Sequence, residues 1–267
     1  MNVTYEQIGA MVMSNLRRNQ IIEELTKNEK VEIDDLAYKF QVSAMTIRRD
    51  LALLEEQEKV VRTTGGAILK KNLVSESSIY VKDEKFKNQK KKIAELAIQM
   101  ISDGTTILLD SGTTTFEIAQ SLNHFKNITV ITNDIRIAAS LLDTNVRVIV
   151  TGGELQNSVG ALFGPLTEHM IQEIHVDLFF LGAHAVDTHL GVMAPTYEKA
   201  SIKQKMIRAA KETWLVADSS KFEERAFTRV CQLNKLTGIV TDHQLAPMLR
   251  QELSEVVQVL ITETEGN

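Results

Sequence analysis

The chain has 267 residues, 43% of them apolar, which is enough for one small core and one of ordinary size. Its single cysteine, Cys231, excludes an intramolecular disulfide framework, and the net charge of −5 discourages nonspecific nucleic-acid contact over most of the surface. The apolar patch Ile8–Met13 is too short to cross a bilayer and lacks a basic lead-in, so the expectation is no signal peptide, no membrane partner and a cytoplasmic protein.

The charge is graded along the chain. Residues 1–71 carry 11 Lys/Arg against 11 Asp/Glu, residues 72–92 carry six lysines against three acids, and the remainder carries −8. Between Thr4 and Lys27 the residues Leu16, Ile21, Ile22 and Leu25 are read as one helical stripe. Ile33, Leu36, Ala37 and Phe40 give a second short helix, with Asp34 and Asp35 favouring its N-terminus. Gln41-Val42 makes a turn, and Ser43 is a natural N-cap for a third helix. On that helix Ile47, Leu51 and Leu54 share one face, Met45, Arg49 and Ala52 lie opposite, and Thr46 and Arg48 flank them. Val60-Val61-Arg62, a Gly65-Gly66 turn and Ala67-Ile68-Leu69 complete a winged helix-turn-helix.

Residues 72–92 read as a lysine-rich linker. Beyond it the pattern alternates: helix 93–101, strand 105–109, helix 116–122, strand 128–131, helix 135–142 and strand 146–150. A Gly152-Gly153 loop follows, then helix 166–174, strand 176–181, helix 198–210, strands 213–217 and 238–240, helix 245–253 and strand 256–261. Such alternation predicts a mostly parallel sheet covered by helices, an α/β domain over residues 93–267 behind a DNA-binding domain over 1–71.

Two stretches carry chemistry. In the first, Arg48 and Arg49 can donate to guanine edges or phosphates, Ser43, Met45 and Thr46 front the same helix, and Arg62 stands at the wing. A solvated Arg-Arg-Asp turn is the bland alternative, but a trihelical unit with a glycine hairpin behind it favours double-stranded DNA. In the second, a strand ends at Leu109 and Asp110, Ser111, Gly112, Thr113, Thr114 and Thr115 lead into a helix. Glycine allows close approach, hydroxyls donate, and a helix N-terminus supplies free N–H groups, which suits a phosphate. Its place at the carboxyl end of a sheet strand agrees, because open α/β sheets bind ligands there. Asn133 and Asp134, Gly152 and Gly153 follow neighbouring strands, and Lys221 is placed to neutralise a phosphate. Glu198 and Lys205 are candidates for bonding ligand hydroxyls, or else form helix-surface pairs, as Asp134 is also a natural N-cap. His184, Asp187 and His189 match no standard metal spacing, so no metal and no cofactor are expected.

Residues 17–69 resemble the N-terminal domain of the DeoR family of bacterial transcriptional regulators. The resemblance rests on Val42-Ser43, Thr46-Ile47-Arg48-Arg49-Asp50-Leu51, Leu54-Glu55, Arg62 and Gly65-Gly66-Ala67. It continues through Asp110–Thr115, Ile131-Thr-Asn-Asp134, Gly152-Gly153, Asp218 and Ser220-Lys-Phe222, covering about residues 15–245. The resemblance implies a repressor of sugar or nucleoside catabolism controlled by a phosphorylated sugar. It also implies a sensor fold similar to ribose-5-phosphate isomerase and glucosamine-6-phosphate deaminase. Glu58 replaces a usual glycine, Thr64 a common histidine, and Gly182-Ala-His-Ala185 is less glycine-rich than the family loop. The alternative is an isomerase- or deaminase-like enzyme fused to a DNA-binding module, with Asp110, Asp177, Asp187, Glu198 or Asp218 as the base. A lone winged module reads few base pairs, so a homo-oligomer, dimer or tetramer, is expected.

Overall fold

The computed structural model describes residues 5–28, 30–57, 59–69 and 86–263, in two compact units that divide after Asn72. The reading of Glu58 and most of the 72–92 linker lie outside the described residues. The N-terminal unit contains α1 (Tyr5–Asn28), β1 (Lys30–Glu32), α2 (Ile33–Phe40), α3 (Ala44–Glu56), β2 (Val60–Arg62) and β3 (Gly66–Leu69). Its strands form an antiparallel sheet ordered β1-β3-β2. Strand β1 was not anticipated, because three residues are too few to show alternation. Ile21, Leu25, Leu36, Ile47, Leu51, Leu54, Val60 and Ala67 form the core. Each large aliphatic side chain there contributes about 1.5–3 kcal/mol.

One expectation on α1 fails for a geometric reason. Leu16 is 55% exposed, whereas Ile21 and Leu25 are fully buried. Nine residues separate Leu16 from Leu25, and nine steps of about 100° place them on opposite sides of the helix. The α2–α3 turn is made by Gln41 in the left-handed region at φ 53°, its amide bonding back to the end of α2. Gly66 is required for a different reason: a Cβ there would collide with the Val31 carbonyl of β1.

The second unit is built on a seven-stranded, fully parallel sheet. Its strands are β4 (Thr106–Leu109), β5 (Thr129–Thr132), β6 (Arg147–Val150), β9 (Val176–Gly182), β12 (Ala210–Val216), β14 (Gly238–Thr241) and β15 (Gln258–Ile261). Their order is β15-β14-β12-β9-β4-β5-β6. The helices are α4 (Lys87–Ala97), α5 (Thr113–Gln120), α6 (Ile135–Ser140), α7 (Pro165–Gln172), α8 (Tyr197–Ala209) and α9 (Pro247–Ser254). One apolar cluster packs α4 and α5 against the sheet through Ile93, Ala97, Ile107, Leu109, Ile118 and Phe180. Another packs α7, α8 and α9 through Ile171, Phe179, Met206, Leu215 and Leu249.

Several boundaries move. Helix α4 starts at Lys87, inside the stretch read as linker, and α5 starts at Thr113, so the three threonines form its first turn. Two antiparallel additions were missed: the hairpin β7 (Glu154–Gln156)–β8 (Ala161–Phe163), and the sheet β10 (Ala185–Asp187)–β11 (Gly191–Ala194)–β13 (Thr228–Cys231). All are short, and β13 joins its partner only through a distant chain segment.

Candidate functional site

In the N-terminal unit the side chains divide cleanly between the two faces of α3. Ser43 caps it, its oxygen accepting from the Thr46 amide at 3.2 Å and pairing with the Thr46 hydroxyl at 2.9 Å. Met45, Arg48 and Arg49 are exposed, as is Ser43, and Thr46 is half-buried. Arg62 lies in the base of the wing. Its amide bonds Glu55 at 3.1 Å, and its guanidinium lies 3.9 Å from the same carboxylate. Both side chains are over 40% exposed, so the pair adds about 0–1 kcal/mol and leaves Arg62 available to a phosphate.

Asp50 behaves differently from the two arginines before it. It is 3% exposed and accepts from Arg17 at 2.6 Å and Ser14 at 3.4 Å, with Arg18 at 3.9 Å. The signal for this was present in the spacing. Asp50 lies three residues after Ile47 and four before Leu54, while Arg17 and Arg18 precede Ile21 and Leu25 by four and seven. This pair fixes α1 against α3 and so sets how the exposed arginines are presented. Asp50→Ala is expected to cost about 3 kcal/mol, because a buried pair is broken and a cation stranded. Urea unfolding of the chain measures this, and a loss below about 0.5 kcal/mol would remove the pair from the argument.

In the second unit, parallel strands bring every candidate loop to one rim, the carboxyl edge of the sheet. The order in which strands are added reverses between β4 and β9: β5 and β6 are added on one side of β4, and β9, β12, β14 and β15 on the other. A crevice at that point is where such sheets hold ligands. The loop Asp110–Thr115 leaves β4 on this crevice. Gly112, with extended backbone at φ 176°, precedes α5, and the first intrahelical bond runs from Phe116 to Gly112 at 3.0 Å. The amides of Thr113, Thr114 and Thr115 therefore have no acceptor within the helix. Ser111 is half-buried beside them. Thr115 does not offer its hydroxyl outward: it donates to the Asp110 carbonyl at 2.7 Å and to that of Gly112 at 3.0 Å.

Asp110 is 1% exposed, and its carboxylate links the end of β4 to the end of β9. Its Oδ2 accepts from the Gly182 amide at 2.9 Å and from Lys203 of α8, and the Lys203 ammonium also donates to the Gly182 carbonyl at 2.9 Å. Lys203 was not anticipated. A helix lysine is read as solvated by default, and it takes both the β4–β9 pairing and the packing of α8 on β9 to bring positions 110, 182 and 203 together.

Other candidates are committed elsewhere. Asp134 caps α6 through the Arg136 amide at 2.8 Å and binds the Arg136 guanidinium at 3.1 and 2.5 Å. Burial raises its carboxyl above the ordinary value, with Arg136 opposing. Lys205 ties α8 to α7, reaching Glu168 at 3.1 Å and Ser201 at 3.2 Å. Gly153, at φ 132°, is closed in by the Phe163 carbonyl and Thr167, so its lack of a side chain serves packing of the hairpin. Glu198 is exposed in the first turn of α8. On the β5 and β6 loops, buried Asn133 donates to the Leu162 carbonyl at 3.1 Å, while its Oδ1 and the hydroxyl of buried Thr151 have no protein partner.

The rim is also too wide for one contact set. Gly152 and Gly153 follow β6, and Lys221 follows β12, four strands away. At about 4.8 Å per strand they stand about 19 Å apart, more than one sugar phosphate spans. A ligand centred on the β4–β9 crevice meets the loops of β4, β5 and β9 first, and Lys221 only by the length of its side chain.

Comparison with known proteins follows the same two-unit division. Residues 17–72 match the DeoR-like helix-turn-helix domain, and residues 85–243 match the DeoR C-terminal sensor domain. A putative aga operon transcriptional repressor from Escherichia coli O157:H7 is 34% identical, covering 85% of each chain. The glycerol-3-phosphate regulon repressor of Escherichia coli K12 is 30% identical over 85% of this chain and 90% of its own. Ribose 5-phosphate isomerase A from Methanocaldococcus jannaschii aligns with 51% of this chain and 55% of its own, at 17% identity and a TM-score of 0.38.

Proposed function

The chain belongs to the DeoR family of transcriptional regulators, and from that premise we propose that it represses sugar-catabolism genes and is controlled by a phosphorylated sugar. The observation that carries the effector half is the Asp110–Thr115 loop, opening a helix N-terminus onto the crevice where the sheet reverses order. Free amides and a partial positive charge suit a phosphate dianion. The names of the relatives agree, one belonging to an operon repressor and the other to a glycerol-3-phosphate regulon.

In this reading Ser43, Met45, Thr46, Arg48, Arg49 and Arg62 contact operator DNA. Two copies pair so that two winged modules meet two half-sites. The loop Asp110–Thr115 and Asn133 receive the effector. From there the route to the DNA-binding unit runs through α5, which packs on α4, and α4 follows directly on the segment joining the units.

The enzyme reading finds less support. Asp187 accepts the His189 and Leu190 amides at 2.9 Å and Arg225 at 2.7 Å, and these bonds, Leu190 first, hold its carboxyl below the ordinary value. Asp177 bonds the Thr106 amide at the opposite, amino edge of the sheet. Asp218 binds the Ser220 amide at 3.2 Å, and Asp110 is paired with Lys203. These four carboxylates are therefore committed to bonds within the fold, and Glu198 stands exposed in the first turn of α8.

The test is operator binding by fluorescence anisotropy against a panel of sugar phosphates and the matching free sugars, with light scattering on the same samples. One phosphorylated sugar is expected to shift operator affinity by roughly 5–150-fold while its free sugar does nothing. Turnover of a panel member, or an equal response to the free sugar, would overturn the reading.

A further inference from the structure

We infer that Lys203 is the cation that receives the anionic group of the effector, and that Asp110 holds it in place until an anion arrives. The inference rests on the effector reading above and names the residue that would give the crevice its charge selectivity.

Three observations carry it. The first is position. Lys203 bonds the side chain of Asp110, the residue that begins the anion-facing loop, and its ammonium also touches β9 at the Gly182 carbonyl. It therefore stands at the carboxyl ends of the two strands where the strand order reverses. Two of its three N–H donors go to Asp110 and Gly182, which leaves one for a third acceptor.

The second is burial. The Lys203 side chain is 12% exposed and that of Asp110 is 2% exposed. A buried pair of this kind is no better for stability than apolar residues of the same volume. What it does provide is a positive charge that is desolvated in advance and exchangeable. A dianion entering beside the amides of Thr113–Thr115 meets a cation whose existing partner carries a single negative charge.

The third is the disposition of other lysines. Lys205 is bound to Glu168 and Ser201 on the α7 side of its helix. Lys221 leaves β12, two strands from β4 and so about 10 Å along the rim. Of these three lysines, Lys203 is the one joined directly to the loop.

The exchange predicts effects of opposite sign at the two partners. Inorganic phosphate is titrated calorimetrically into the full-length chain and three variants, with thermal melting as the check on folding. Lys203→Met is expected to weaken phosphate roughly tenfold or more, and Lys203→Arg to stay within about threefold of the parent. Asp110→Asn keeps the shape, removes the competing charge, and is expected to tighten phosphate by about threefold or more. If Lys203→Met does not fold, the arginine and asparagine variants still decide. Parent-like binding by Lys203→Met, or weaker binding by Asp110→Asn, would overturn the inference and leave the effector reading standing. A parent chain that binds neither inorganic phosphate nor any sugar phosphate of the panel would overturn both.

Discussion

Replacing Arg48 and Arg49 together with alanine is expected to abolish operator recognition while the N-terminal unit stays folded. Each arginine that reads a base edge is worth roughly 1–3 kcal/mol. Losing both therefore weakens binding by between about 30-fold and about 10⁴-fold. Folding should hold because both side chains are exposed on α3, opposite Ile47, Leu51 and Leu54, and surface changes of this kind stay within about 0.5 kcal/mol. The salt dependence separates two ways of losing affinity. If the arginines touch phosphates, the variant binds all sequences more weakly and the slope of log K against log salt falls by about 0.9 per lost contact. If they read bases, specific binding falls while nonspecific binding remains. Gel shifts at several salt concentrations measure both, and parent-like operator binding would remove α3 as the reading helix.

Gly112→Val is expected to give a repressor that holds its operator and ignores its effector. The coupling at stake is about 1–3 kcal/mol, the usual free energy between two linked sites. Gly112 has an extended backbone, so valine brings no conformational strain, and a Cβ there would sit 3.3 Å from the Thr115 hydroxyl. The added side chain crowds the first turn of α5, beside the amides expected to receive the anion, and is expected to block its approach. Operator affinity measured with and without the effector gives the coupling directly. A parent-like response would move the effector away from this loop.

Much of this architecture is legible in the sequence because it is periodic or local. The buried face of α3, the Ser43 cap and the glycine turn of the wing each declare themselves within a dozen residues. So does the alternation that gives the parallel sheet. What escaped reading depends on contacts between distant segments. Asp50 follows two exposed arginines, and although its spacing puts it on the buried face of α3, its partner Arg17 comes from another helix and is not named by that spacing. Strand β13 pairs with β11 across a long excursion, and β1 is three residues long. Lys203 is the clearest case: its residue type points outward, and only the neighbouring of β4 and β9 together with the packing of α8 on β9 turns it inward. Of the rim residues, sequence alone names those that follow strands. It does not separate Gly112, which faces the crevice, from Gly153 and Asp134, which are absorbed into a hairpin and a helix cap.

The crevice between β4 and β9 also sets an order of assembly during synthesis. Asp110 and Gly182 are 72 positions apart, and Asp110 and Lys203 are 93 apart. At roughly 5–20 residues per second, a ribosome takes about 4–14 s to reach Gly182 after Asp110, and longer to reach Lys203. In that interval the winged module is already complete, and β4, β5 and β6 can pair with each other, whereas the other wall of the crevice does not exist. A newly made chain therefore acquires its DNA-binding surface first and its effector site last.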